Sequence, residues 1–243
     1  MSDPILTAEG VTKSFGGMTA NRLISAAIHR GEILGLIGPN GAGKSTFFNL
    51  IAGAFPPSSG TIHFEGEAIT ALSAPARCRL GIARTYQVPR SFDSMSVLEN
   101  VTVGAMVRNR STAAARRKAL EVLDEVGLAV RANHSAADLT PPEKRRLEIA
   151  RALATEPKLL LLDEALTGLT PSEARQGVEL IRRVRDRGVT VVMVEHVMEI
   201  VMPLVDRAIV LNLGEVLAEG TPAEVVRNPL VIGAYLGERH NVA

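Results

Sequence analysis

The sequence contains no tryptophan, two tyrosines and six phenylalanines, so only 3% of its 243 residues are aromatic. Any stacking on a planar ligand therefore falls to a handful of positions. The single cysteine, Cys78, excludes an internal disulfide and suits a reducing compartment. No apolar run approaches the roughly eighteen residues of a membrane span, so a membrane role has to come through partner chains. Nothing near the N-terminus reads as a secretory signal. Charge of one sign is lacking too: 27 Lys and Arg stand against 26 Asp and Glu, and a formal +1 gives no reason to expect nucleic acid. The basic clusters Arg116-Arg117-Lys118 and Lys144-Arg145-Arg146 have helical neighbours and read as solvated faces.

What is present is Gly38-Pro39-Asn40-Gly41-Ala42-Gly43-Lys44-Ser45-Thr46. Two glycines bracket four residues and Lys-Ser follows, which is the P-loop pattern. The approach, Ile33 to Ile37, suits a buried strand, and Thr46 to Ala52 can continue as a helix. Gly38, Gly41 and Gly43 allow the backbone to curl so that successive N–H groups face phosphate oxygens. A helix N-terminus adds its positive end. Lys44 can place a point charge on the outer phosphates, and the Ser45 hydroxyl can ligate Mg²⁺. The stretch binds a nucleotide.

The remaining chain reads as α/β. Ile5 to Phe15 is a strand ending at Gly16-Gly17, and Leu23 to His29 is a second extended piece. Pro56 to Gly60 is a loop. Thr61 to Phe64 leads through Glu65-Gly66 into Glu67 to Ile69 as a hairpin, and Ala83 to Gln87 is a further strand. From Ser96 to Ala154 the pattern turns helical, over Val97–Val107, Ala113–Val126 and Pro142–Ala154. Leu159 to Glu164 returns as a buried strand, Ser172 to Arg187 as an amphipathic helix, and Gly188 to Glu195 as a valine-rich strand. Met198 and Met202, four apart, read as helix packing. Ala208–Leu211 and Val216–Glu219 flank a turn at Asn212-Leu213-Gly214, and Thr221-Pro222-Ala223-Glu224 opens a capped helix.

Four features narrow the nucleotide chemistry. Asp163-Glu164 ends an apolar strand far downstream of the P-loop; Asp163 can reach a Mg²⁺ shell and Glu164 can polarise a water. His196 directly follows the valine-rich strand, where an imidazole can contact a γ-phosphate. Gln87 ends a strand entering the helical region, where its amide can touch Mg²⁺ or water. Phe15, before a glycine pair, is either an adenine-stacking ring or an ordinary core phenylalanine.

In this order, these features resemble the ATP-binding subunits of ABC transporters over nearly the whole chain. The resemblance implies a RecA-like P-loop NTPase core with an antiparallel β subdomain and an inserted helical lobe. As one cassette of 1–243, the core spans 1–90 and 155–243 and the lobe about 91–154. It implies Phe15 on the adenine, Gln87 as the Q-loop, Asp163 and Glu164 as the Walker B pair, and His196 as the switch histidine. Ala83-Arg84-Thr85-Tyr86-Gln87, Pro89-Arg90-Ser91-Phe92, Arg146 to Arg151, Glu195-His196-Val197-Met198 and Ala234-Tyr235-Leu236-Gly237 resemble the importers of branched-chain amino acids. Such subunits bind ATP and Mg²⁺ and pair head to tail on the cytoplasmic face of the membrane. Two permease subunits, fed by an extracytoplasmic solute-binding protein, lie above them.

The departures are concentrated at one place. The family's signature, roughly Leu-Ser-Gly-Gly-Gln, stands here as Leu139-Thr140-Pro141-Pro142-Glu143. Thr140 and Glu143 make a capping box with Pro141 in the first turn. As a phosphate cradle the loop is poor, since each proline removes an N–H donor. This predicts a heterodimer in which a partner's sound signature completes the intact P-loop site, while the opposite site is weak. Ala165 and Thr170 also depart, where a proline and a D-loop Asp or Asn are common. Other readings are an ABC-type ATPase on DNA or ribosomes, a regulatory subunit with little hydrolysis, and an importer of another small solute such as urea or an amide.

Overall fold

The computed structural model describes residues 3–195 and 198–236, and His196 therefore lies outside the described residues. The chain forms two compact units, one of 1–74 with 190–243 and one of 75–189.

In the first unit, alternation of buried and exposed side chains sets up two long strands, β1 (Pro4–Phe15) and β2 (Met18–His29). They pair antiparallel, and β4 (Ser59–Phe64) with β5 (Glu67–Ala68) completes a four-stranded sheet of order β2-β1-β4-β5. The Glu65-Gly66 hairpin falls where the sequence puts it, with φ of 52° and 83° at its two residues. A second sheet holds β3 (Ile33–Ile37) parallel to both β8 (Thr190–Val194) and β9 (Arg207–Asn212), with β10 (Glu215–Gly220) antiparallel on β9. Both β3 and β8 are buried along their whole length, the pattern of a parallel strand covered on two faces. Helix α1 (Lys44–Ala52) leaves the end of β3 and buries Phe47, Phe48, Leu50 and Ile51. Each such side chain stabilises the fold by about 1.5–3 kcal/mol relative to exposure.

The short α2 (Ala74–Leu80), which the sequence pattern does not predict, carries the chain into the second unit. There β6 (Ile82–Arg84) pairs in parallel with β7 (Leu159–Asp163). Strand β6 stops at Arg84, so Gln87 lies in a loop and does not end a strand as expected. Thr85 still donates to Leu161 O at 2.9 Å, but the next N–H, of Tyr86, donates to the Glu148 carboxylate instead of a strand neighbour. Helices α3 (Val97–Ala105), α4 (Thr112–Glu125) and α5 (Pro141–Leu153) match the expected positions within a few residues. Gly104 permits close packing of α3 on α5, because a Cβ there would lie 2.4 Å from the Arg151 carbonyl oxygen. Helix α6 (Pro171–Asp186) follows β7. Back in the first unit, α7 (Met198–Val201), α8 (Pro222–Arg227) and α9 (Pro229–Leu236) complete the chain. The Met202 N–H donates to Met198 O at 2.9 Å, which places the two methionines one helical turn apart.

Candidate functional site

The P-loop is preformed by its own residues. Gly38, Gly41 and Gly43 all adopt positive φ, at 146°, 75° and 96°, where a side chain is strained. Gly43 is crowded as well, since a Cβ would come within 2.4 Å of Asn21 Nδ2 and 2.5 Å of Ala20 O. Asn21 is fully buried and donates to Gly43 O at 3.1 Å. Lys44 is buried, and its Nζ donates to Gly38 O at 2.7 Å and Pro39 O at 2.8 Å, drawing the loop around itself. Asn40, Gly41 and Ser45 are exposed, Ala42 is buried, and Thr46 is half-buried.

Helix α1 begins differently from α3, α5, α6 and α8. Helices α3, α5, α6 and α8 each open on a Ser or Thr cap with Glu three residues on. At α1 the cap position is Gly43 and, among the described residues, no side-chain cap bond is made. There is also no acidic residue in its first turn. A helix start with neither a side-chain cap nor an acidic residue suits an anion.

Phe15 ends β1 and is 45% exposed, which removes the core-residue reading. It packs edge-on to Phe55 at 5.3 Å between centroids, with Lys13 Nζ 5.1 Å from its own centroid. This open ring and cation suit an aromatic base.

In the second unit, Asp163 and Glu164 stand at the end of β7. Asp163 is buried, its N–H donates to Thr85 Oγ1 at 3.0 Å, and Arg84 Nη2 stands 3.6 Å from its Oδ2. Glu164 has φ of 49°, a left-handed backbone uncommon for a residue with a side chain, which it shares with Leu23, Glu65, Glu156 and Leu213. Gln87 Nε2 donates to Glu164 Oε2 at 2.9 Å, so the structure brings these two site residues together. Arg145, from α5, donates to the Glu164 carbonyl.

Residues 140–143 are organised as a helix start. The Thr140 N–H and hydroxyl each donate to Glu143 Oε2 at 2.9 Å, and Arg131 Nε donates to Glu143 Oε1 at 3.1 Å. The Thr140 backbone bond is the main cause holding the Glu143 carboxyl below its usual range; its burial opposes this, and Arg131 assists. Arg131 is thus the cation that offsets this carboxylate. Thr170 likewise caps α6 with Glu173, which accounts for a threonine at that departure.

Two site residues escaped the sequence reading. Glu148 is buried on α5 and accepts from the Tyr86 and Arg90 N–H groups, each at 3.3 Å. Burial raises its pKa, against the two backbone bonds. Arg84 beside Asp163 is the other. Both lie in stretches that carry the family resemblance, Glu148 in Arg146 to Arg151 and Arg84 in Ala83 to Gln87, but residue type and spacing give neither of them a role.

Among the described residues no three His, Cys, Asp or Glu gather as a metal cluster, and no helix is long and apolar enough to cross a membrane. Residues 22–167 match the ABC transporter family, and residues 215–241 match the branched-chain amino acid ATP-binding cassette transporter family. The chain is 40% identical to the high-affinity branched-chain amino acid transport ATP-binding protein LivG of Salmonella typhimurium, covering 98% of this chain and all of that one. Its fold is similar to an ABC transporter cassette in its ADP conformation, at TM-score 0.88 and 30% identity over 97% and 100% of the two chains. It is also similar to a dimeric cassette bound to ADP and phosphate, at TM-score 0.81 and 28% identity over 89% and 98%. The chain belongs to the ABC transporter family of ATP-binding proteins, which are ATPases coupled to transport.

Proposed function

We propose that this ABC ATPase drives import of branched-chain or other hydrophobic amino acids and works as one half of a heterodimer. The observation that carries the solute class is the match of residues 215–241 to branched-chain amino acid cassettes, supported by the full-length similarity to LivG.

In this reading Gly38, Asn40, Gly41, Ala42, Gly43, Lys44, Ser45 and Thr46 bind the phosphates, and Phe15 lies against adenine. The uncapped start of α1 and the enclosed Lys44 support that assignment. Mg²⁺ fits the donor types: Ser45 offers a hydroxyl, Asp163 a carboxylate, and Gln87 its amide oxygen. Gln87 engages Glu164 through nitrogen, which leaves the oxygen for a cation. When bound, the ion neutralises phosphate charge. Glu164 takes the proton of the attacking water while Gln87 steadies its carboxylate, and His196 responds to the γ-phosphate.

The heterodimer follows from residues 140–143. Their cap satisfies the chain's own helix and leaves a partner's phosphate a loop with two prolines and an engaged carboxylate. Losing one transition-state donor typically costs about 2.7–4 kcal/mol. A second ATP-binding subunit with a sound signature, two permease subunits and a solute-binding protein complete the assembly, with this chain on the cytoplasmic face. Proteoliposomes holding that assembly test the proposal: ATP-dependent uptake of leucine is expected. ATP hydrolysis with uptake of urea or an amide, and of no aliphatic amino acid, would replace the solute class. The same capped loop favours a second reading, a regulatory subunit with little hydrolysis, and near-zero turnover at its own P-loop would establish that instead.

A further inference from the structure

One buried carboxylate on α5 spans the loop that carries Gln87. Glu148 is 7% exposed, and its two oxygens accept from different residues, Oε2 from Tyr86 N–H and Oε1 from Arg90 N–H. Gln87 lies between these anchors. One helical turn further along α5, Arg151 donates to the Arg90 carbonyl and lays its guanidinium 4.5 Å from the Phe92 ring centroid. Beyond that, Asn100 of α3 takes both backbone groups of Phe92, accepting at 2.8 Å and donating at 3.0 Å. From Tyr86 to Phe92 the loop forms no strand ladder among the described residues, yet it is fastened along its backbone. A buried carboxylate is costly unless its oxygens are bonded, so its presence here needs a use that an apolar side chain would not serve.

We propose that Glu148 is a positioning residue for hydrolysis: by holding the backbone on both sides of Gln87, it sets the Gln87 amide against Glu164. This rests on the assignment of Gln87 and Glu164 to the hydrolytic step. The geometry supports a single path, from Glu148 through the loop backbone to Gln87 Nε2 and on to Glu164 Oε2 at 2.9 Å. Arg145, one turn earlier on the same helix, donates to the Glu164 carbonyl. Helix α5 thus fixes both members of the pair.

A double-mutant cycle in the assembled complex separates this role from plain structural support. Glu148→Ala is expected to lower ATP turnover about tenfold, with KM for ATP within about twofold of the native value. In a Gln87→Ala background the same substitution is expected to change turnover less than about twofold, because its route is already cut. An equal loss in both backgrounds, or native turnover in Glu148→Ala, overturns the proposal. If Glu148→Ala does not fold, Glu148→Gln, of the same size but with one acceptor oxygen, runs through the same cycle with a smaller first step. Native turnover in Gln87→Ala alone would overturn the assignment of Gln87 and this proposal with it. A drop in Gln87→Ala and Glu164→Gln without coupling to Glu148 would sink this proposal and leave the assignment standing.

Discussion

Gln87 Nε2 donates to Glu164 Oε2 at 2.9 Å, across 77 residues of sequence. An amide is the neutral group that can steady a carboxylate and still offer an oxygen to a cation. Gln87→Glu reverses the first of these, placing two carboxylates within hydrogen-bond distance. Turnover near neutral pH is expected to fall further than in Gln87→Ala, by about another tenfold, because like charges so close cannot both ionise. Steady-state ATPase rates of the two variants decide this, and an equal rate in both would contradict it.

Lys44 donates to two carbonyls of its own loop, Gly38 O and Pro39 O. Lys44→Ala removes the charge meant for phosphate and leaves both acceptors without that donor. ATP affinity measured by calorimetry is expected to drop at least about tenfold, roughly 1.4 kcal/mol. Native affinity would mean that the lysine serves only to close the loop.

Glu143 and Glu148, five residues apart on one helix, should move stability in opposite directions with pH. Glu143 has a lowered folded pKa, so its contribution is present above the unfolded carboxylate value and is lost as pH falls through the folded value. Glu148 has a raised one, so its contribution is present below the unfolded value and is lost as pH rises through the folded value. Urea unfolding across the acidic range should show the stability gap between native protein and Glu143→Gln widening as pH rises. The gap between native protein and Glu148→Gln should narrow over the same direction. Parallel trends would contradict the two assignments.

Much of the P-loop turn was legible in the sequence because its geometry is local. The left-handed Gly38, Gly41 and Gly43 and the enclosed Lys44 lie within a few bonds of one another, so their spacing states the turn. The Leu213-Gly214 turn and the capping boxes were readable for the same reason. Gln87 was placed at a strand end because apolar spacing cannot reveal that Tyr86 N–H is taken by Glu148, 62 residues away. Arg84 beside Asp163 and the left-handed backbone of Glu164 were equally hidden, since both arise from tertiary packing. Proline and glutamate at 141–143 were read as a weak phosphate cradle. That Arg131 holds Glu143 could not be read, because helix spacing says nothing of a residue across the turn.

Restoring Gly-Gly-Gln at positions 141–143 should separate function from stability. Turnover of the assembled complex is expected to rise as the second site gains its donors. The chain itself is expected to lose stability through two glycines in a first turn that holds prolines, because Thr140 and a glutamine at 143 still form a capping box. Unchanged turnover would count against unequal sites, and unchanged stability against a stabilising role for the two prolines.

The most direct test of the account is Glu164→Gln in the assembled complex, with bound nucleotide and ATP turnover measured on the same preparation. The glutamine keeps the size and hydrogen-bonding reach of the side chain but cannot take a proton. ATP is expected to bind with native affinity while turnover falls by about a hundredfold or more. Native turnover in that variant would contradict it, by removing Glu164 from the chemistry.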